Sequence, residues 1–112
     1  MRDPKKLSAF QLADQLALAG MPPDERFGLT MQMRRVAVSI TSNIVEGCSR
    51  NSEPDYLRFL DMALGSACEL EYQLSLARRL GFLAEEQYDA VAGLAAQTAK
   101  TLTGLIRALR TA

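Results

Sequence analysis

The chain of 112 residues has no histidine, no tryptophan, only two cysteines, 6% aromatic residues and no excess charge of either sign. Without histidine it lacks the commonest general base and the commonest metal ligand. It also lacks the Glu-x-x-His pairs that bind two irons in helical bundles. Two separated cysteines, Cys48 and Cys68, cannot build a structural zinc site. The thirteen basic and thirteen acidic residues balance. That argues against strong non-specific nucleic-acid binding, which wants a basic surface, and it permits self-association. Few aromatics argue against recognition by base stacking. No apolar run approaches the roughly 20 residues of a membrane span, and residues 1–7 lack the apolar stretch of a signal peptide. A cytoplasmic protein without membrane association is expected. Gly81 and Gly93 are isolated, with no Gly-Lys-Ser/Thr after them, so there is no phosphate loop. Glu46, Glu69 and Glu71 each have an arginine in reach, and ion pairing is the simpler role for them. No catalytic residue, cofactor or metal is expected, and the chain reads as a non-enzyme.

Apolar residues make up 48% of the chain, enough for the core of a single domain spanning 1–112. Their spacing is helical throughout. The pattern predicts an all-α, up-down-up-down four-helix bundle, oligomeric, with helices at about 5–19, 29–49, 53–80 and 85–110. The organising unit is a hairpin of the second and third helices. Met33, Val36, Ala37, Ile40, Ile44 and Cys48 form one core stripe. Tyr56, Phe59, Leu60, Ala63, Ala67, Leu70, Leu74 and Ala77 form the facing one. Along this hairpin the two cysteines are offset by on the order of 18 Å, whereas a disulfide tolerates Cα separations of about 4–7 Å. Both read as small buried hydrophobes.

The punctuation agrees. Residues 1–4 read as a loose end, with Pro4 opening the first helix, whose apolar face includes Leu7, Phe10, Leu16 and Ala17. Gly20 stops it, and the Pro22-Pro23 pair breaks the chain before Phe27, which is expected to anchor the loop on the bundle end. Thr30 is a candidate cap for the second helix. Ser52 caps the third, with Pro54 in its first turn and Asp55 in the capping-box position. Gly81 ends the third helix, after which Phe82 and Leu83 fold back on the core. Tyr88, Val91, Ala95, Leu102, Leu105 and Leu109 form the seam of the fourth. Gly47 and Gly65 lie inside helices, where close approach of another helix would account for them.

Three surface patterns are candidate sites. Met31, Val38 and Val45 recur every seven residues off the core stripe, and Leu57 and Leu64 widen the apolar face of the next helix. These five are the candidate oligomer interface. A polar stripe, Arg35, Ser39, Asn43, Glu46, meets Arg58, Ser66, Glu69, Gln73 when the hairpin is folded. It places Arg35 level with Glu69 and Glu46 level with Arg58, as a register-fixing network or the lining of a small-ligand or anion site. Arg34, Arg35, Arg50, Arg58, Arg78 and Arg79 are the candidate nucleic-acid or anion contacts.

The run Leu29-Thr-Met-Gln-Met-Arg-Arg-Val-Ala-Val-Ser-Ile-Thr-Ser-Asn-Ile-Val-Glu-Gly47 resembles the signature of a bacterial four-helix-bundle family, the S23 or 23S rRNA intervening-sequence protein family. Phe59-Leu-Asp-Met-Ala-Leu-Gly-Ser-Ala-Cys-Glu-Leu-Glu71 and Ala77-Arg-Arg-Leu-Gly-Phe-Leu83 continue the likeness, which spans about residues 7–110. Two departures are a first helix rich in Leu, Ala and Gln rather than aromatics, and Ala84 where a polar cap usually precedes the last helix. The resemblance implies an up-down bundle assembled into a ring, commonly a pentamer, with no established enzyme activity. The family name records where some of its genes lie. A similar small bundle accompanies retroelement reverse transcriptases and binds nucleic acid, so RNA or DNA is a candidate partner by analogy.

Overall fold

The structure is a computed structural model that describes residues 2–19 and 28–112. Among the described residues it contains four α-helices: α1 (Ser8–Leu18), α2 (Leu29–Cys48), α3 (Glu53–Arg79) and α4 (Glu85–Thr111). Among the described residues there is no strand. Each helix packs on two others in the order α1–α2–α3–α4 and back to α1, while across the diagonals the backbones stay further apart. The short turns 49–52 and 80–84 reverse the chain, so α3 runs antiparallel to α2 and α4 antiparallel to α3. At 1.5 Å per residue the 27 residues of α3 span roughly 40 Å, which sets the 43 Å long axis. No helix among the described residues is long and apolar enough to cross a membrane.

The core is the seam where the four apolar stripes meet. Met33, Ile40, Ile44, Leu60, Leu70, Leu74 and Leu102 are fully enclosed. Burial of each such side chain contributes about 1.5–3 kcal/mol. α4 adds Thr98 and Ile106, which the heptad reading passed over. Thr98 is accommodated because its hydroxyl donates to the Leu94 carbonyl at 2.7 Å. Ala63, Ala67, Ala77 and Ala95 let the helices approach closely.

The third helix is capped as its sequence requires. The Ser52 hydroxyl accepts from the Asp55 amide at 3.2 Å, and Pro54 occupies the first turn. At its far end Gly81 adopts φ 79°. The Phe82 amide donates to the Ala77 carbonyl at 2.8 Å and the Gly81 amide to Arg78 at 3.0 Å, a Schellman closure. Leu83 is then buried and Phe82 packs on the core.

Four expectations are corrected. The first helix does not run on from Lys5: Pro4–Lys6 form a 3-10 turn, Leu7 is extended, and α1 starts at Ser8. The cause is local, since Asp3 caps the amide of Lys5 and the Gln11 side chain donates to the Lys5 carbonyl, which favours a separate turn. Residues 2–4 are no loose end. The Arg2 amide donates to the Cys48 carbonyl at 3.1 Å, one of the orphan acceptors at the end of α2. Its guanidinium pairs with Glu53 at 2.8 Å and stacks 3.8 Å over the Tyr56 ring. Thr30 is not a cap. It is buried within α2, and the N-cap position falls to Gly28 at φ 74°, a conformation glycine adopts without strain. Cys68 is exposed, whereas Cys48 is buried, because Cys68 falls just beyond the strip of α3 that faces α4. Gly20 and Phe27, expected to stop the first helix and anchor the following loop, lie outside the described residues.

Candidate functional site

The outer seam between α2 and α3 carries most of the candidate residues. Gly47 lets the two helices meet: a Cβ there would stand 2.9 Å from the Phe59 Cβ. About two helical turns further on, the Ser39 and Ser66 hydroxyls share a hydrogen bond at 3.0 Å. The Asn43 side-chain amide donates to the Ser39 carbonyl at 2.9 Å and to its hydroxyl at 3.3 Å. The middle of the expected polar ladder is therefore formed and half-buried.

Its charged ends are not. Glu46 pairs with Arg50, four residues on in the turn that follows α2, and Arg58 lies 3.8 Å from Asp55 on α3. Among the described residues no ion pair joins Arg35 to Glu69 or Glu46 to Arg58. Local pairs win because an i,i+4 partner costs no bending across the seam. Exposed pairs of the Glu46–Arg50 kind contribute only about 0–1 kcal/mol, too little to impose register. Gln73 is 8% exposed, and its Oε1 has no hydrogen-bond partner.

The six candidate arginines do not form one patch. Arg50 and Arg58 flank the Phe59 ring at one end of the hairpin, with guanidinium carbons 4.8 and 4.6 Å from its centroid. Phe59 thereby takes cation–π contacts from the 49–52 turn and from its own helix. Arg78 and Arg79 stand at the other end of α3, roughly 30 Å away. Arg78 binds both oxygens of Glu85 at 2.7 and 3.1 Å and stacks over Tyr88. The Glu85 carboxylate raises the Arg78 pKa further. Arg79 lies 5.9 Å from the Tyr72 ring. Arg34 and Arg35 are exposed near the start of α2.

The candidate interface residues divide. Met31, Val38 and Val45 stand 46%, 53% and 43% exposed on the flank of α2 away from α3. Leu57 and Leu64 belong elsewhere: both are half-buried on the side of α3 facing α4 and pack against the core. Leu64, with Ile106, floors a groove of about 300 Å³ rimmed by Asp61, Arg107 and Arg110. Sequence reading missed Arg2 and the ring contacts of Arg50 and Arg58. An arginine and a tyrosine some fifty residues apart carry no local signal of their contact. Among the described residues no cluster of three Cys, Asp or Glu could hold a metal ion.

The family model described as 23S rRNA-intervening sequence protein matches residues 5–104. A solved structure with a TM-score of 0.80 and 26% identity covers 88% of this chain and 95% of its own. It is a protein of unknown function from the S23 ribosomal protein family of Bacteroides thetaiotaomicron VPI-5482. No curated protein matches.

Proposed function

Because the chain belongs to the 23S rRNA-intervening sequence protein family, we propose that it acts as a non-enzymatic, homo-oligomeric interaction protein of the cytoplasm. It assembles through α2, in a ring that family resemblance makes a pentamer, and its partner class is RNA, DNA or an enzyme acting on them. The observation that carries the assembly is the row Met31, Val38 and Val45. Three large apolar side chains at seven-residue spacing remain in solvent after the core is complete. Isolated exposed apolar residues are ordinary, whereas an aligned row is a contact surface. The zero net charge opposes no association of copies. For the nucleic-acid partner the support is Arg58 and Arg79, whose exposed guanidiniums are repeated around an assembly.

Sedimentation of the wild-type chain and of Val38→Asp tests the assembly. The wild type is expected well above its 12.3 kDa subunit mass, and the variant is expected to dissociate with its helix content intact. A wild type that stays monomeric at high concentration refutes assembly. Titration of labelled structured RNA and duplex DNA at low and moderate salt tests the partner. Affinity should fall steeply with salt; no binding at low salt leaves a protein partner. The buried, unpartnered Gln73 Oε1 favours a second reading, a small-ligand or anion-binding oligomer using the polar stripe on α2 and α3. A saturable thermal shift insensitive to salt would mark it.

A further inference from the structure

The geometry points to a head-to-tail contact between copies, in which the Met31–Val38–Val45 row of one chain seats on the outer face of α3 of the next around Gly65, and Arg35 of the first pairs with Glu69 of the second. This inference rests on the homo-oligomer reading above and names the two surfaces that meet.

Four observations converge on it. First, α3 carries its own exposed apolar residues, Met62 and Tyr72. They face neither α2, which Ser66 touches, nor α4, which Asp61 reaches through Arg110. The two rows lie on different flanks of the molecule, so one copy can offer either row to a neighbour. That is the condition for a heterologous contact.

Second, Gly65 lies between Met62 and Tyr72 in mid-helix. A Cβ there would meet nothing within 4 Å. A helix-interior glycine costs about 1 kcal/mol against alanine, and nothing inside the subunit requires it, unlike Gly47. Gly93 and Gly104 meet equally open space, but Gly65 alone among the three lies between exposed large apolar side chains, where the missing side chain lets a neighbouring surface approach the α3 backbone.

Third, the charges are complementary. Arg35 borders the α2 row and Glu69 borders the α3 row, both exposed. Among the described residues neither has an ion-pair partner, although the arginines Arg50, Arg58, Arg78 and Arg110 all do.

Fourth, the heights match. The Ser39–Ser66 hydrogen bond sets the level between the helices. With copies side by side at equal height, Arg35 falls within about 2 Å of the level of Glu69. Val38 falls within about 3 Å of Gly65, Met31 of Tyr72 and Val45 of Met62. Every member of one row finds its counterpart on the other.

The test uses the full chain and sedimentation over a concentration series. Gly65→Leu should lose assembly while melting no lower than a dissociated wild-type subunit, since a Cβ there meets nothing within 4 Å and the position is exposed. Arg35→Glu and Glu69→Arg should each weaken assembly about tenfold or more, and the double variant should regain most of the loss, as a directly paired couple does. If the wild type assembles but Gly65→Leu assembles equally well, or the double variant is no better than the singles, the inference is overturned and the homo-oligomer reading stands. A wild type that is monomeric throughout removes both.

Discussion

At Gly47 a methyl group would meet the Phe59 Cβ at 2.9 Å and the Tyr56 ring at 3.3 Å; at Gly93 it would meet nothing within 4 Å. The same substitution therefore has opposite signs at the two positions. Gly47→Ala should destabilise by about 1–3 kcal/mol through overpacking, and Gly93→Ala should stabilise by about 1 kcal/mol through helix propensity. Chemical denaturation of the two variants checks the pair. Cys48 and Tyr56 share the end of the bundle closed by Arg2. Burial raises both acids above their ordinary 9.0 and 10.0, while Arg2 pulls the other way. A raised acid favours the neutral form in the fold. Its contribution is thus intact below the ordinary value and lost as pH rises through the raised one. Melting temperature should fall above about pH 9 more steeply in the wild type than in a Cys48→Ala/Tyr56→Phe variant. Equal slopes would show that these groups do not drive the alkaline loss.

At the scale of the element, the hairpin of α2 and α3 shows which local signals carry structure. Ser52, Pro54 and Gly81 act where the sequence places them, because caps and stops depend on residues within one turn. Thr30 misleads because a cap is decided by where the preceding chain arrives, and Gly28 supplies a left-handed residue that ends the approach earlier. The polar ladder is legible at Ser39, Asn43 and Ser66 but not at its ends, where arginines with long side chains choose partners three or four residues away in the chain. A Ser39→Ala, Ser66→Ala double-mutant cycle should give a coupling of about 0.5–1.5 kcal/mol. Additive losses would mean that the hydroxyls act separately.

At the scale of the molecule, burial separates the cysteines. In the native protein one thiol, Cys68, should react promptly with a small thiol reagent, and Cys48 should react only at the rate of global unfolding. Prompt modification of both would show that the Arg2 closure over Cys48 opens locally. The all-α class, the four helices and most of the core followed from period and punctuation alone, because a 3.6-residue repeat dictates which side chains share a face. The candidate site was legible only in part. The sequence by itself determined that α2 carries an apolar row at Met31, Val38 and Val45 outside its core stripe. Only the tertiary structure decided that these three stay in solvent while Leu57 and Leu64 pack towards α4. It alone brought Arg2 onto Tyr56, set Arg50 and Arg58 around Phe59, and left Arg35 and Glu69 without an ion-pair partner among the described residues. The reason is physical: a face is a property of one helix, but exposure and pairing depend on which helix lies beside it and at what height.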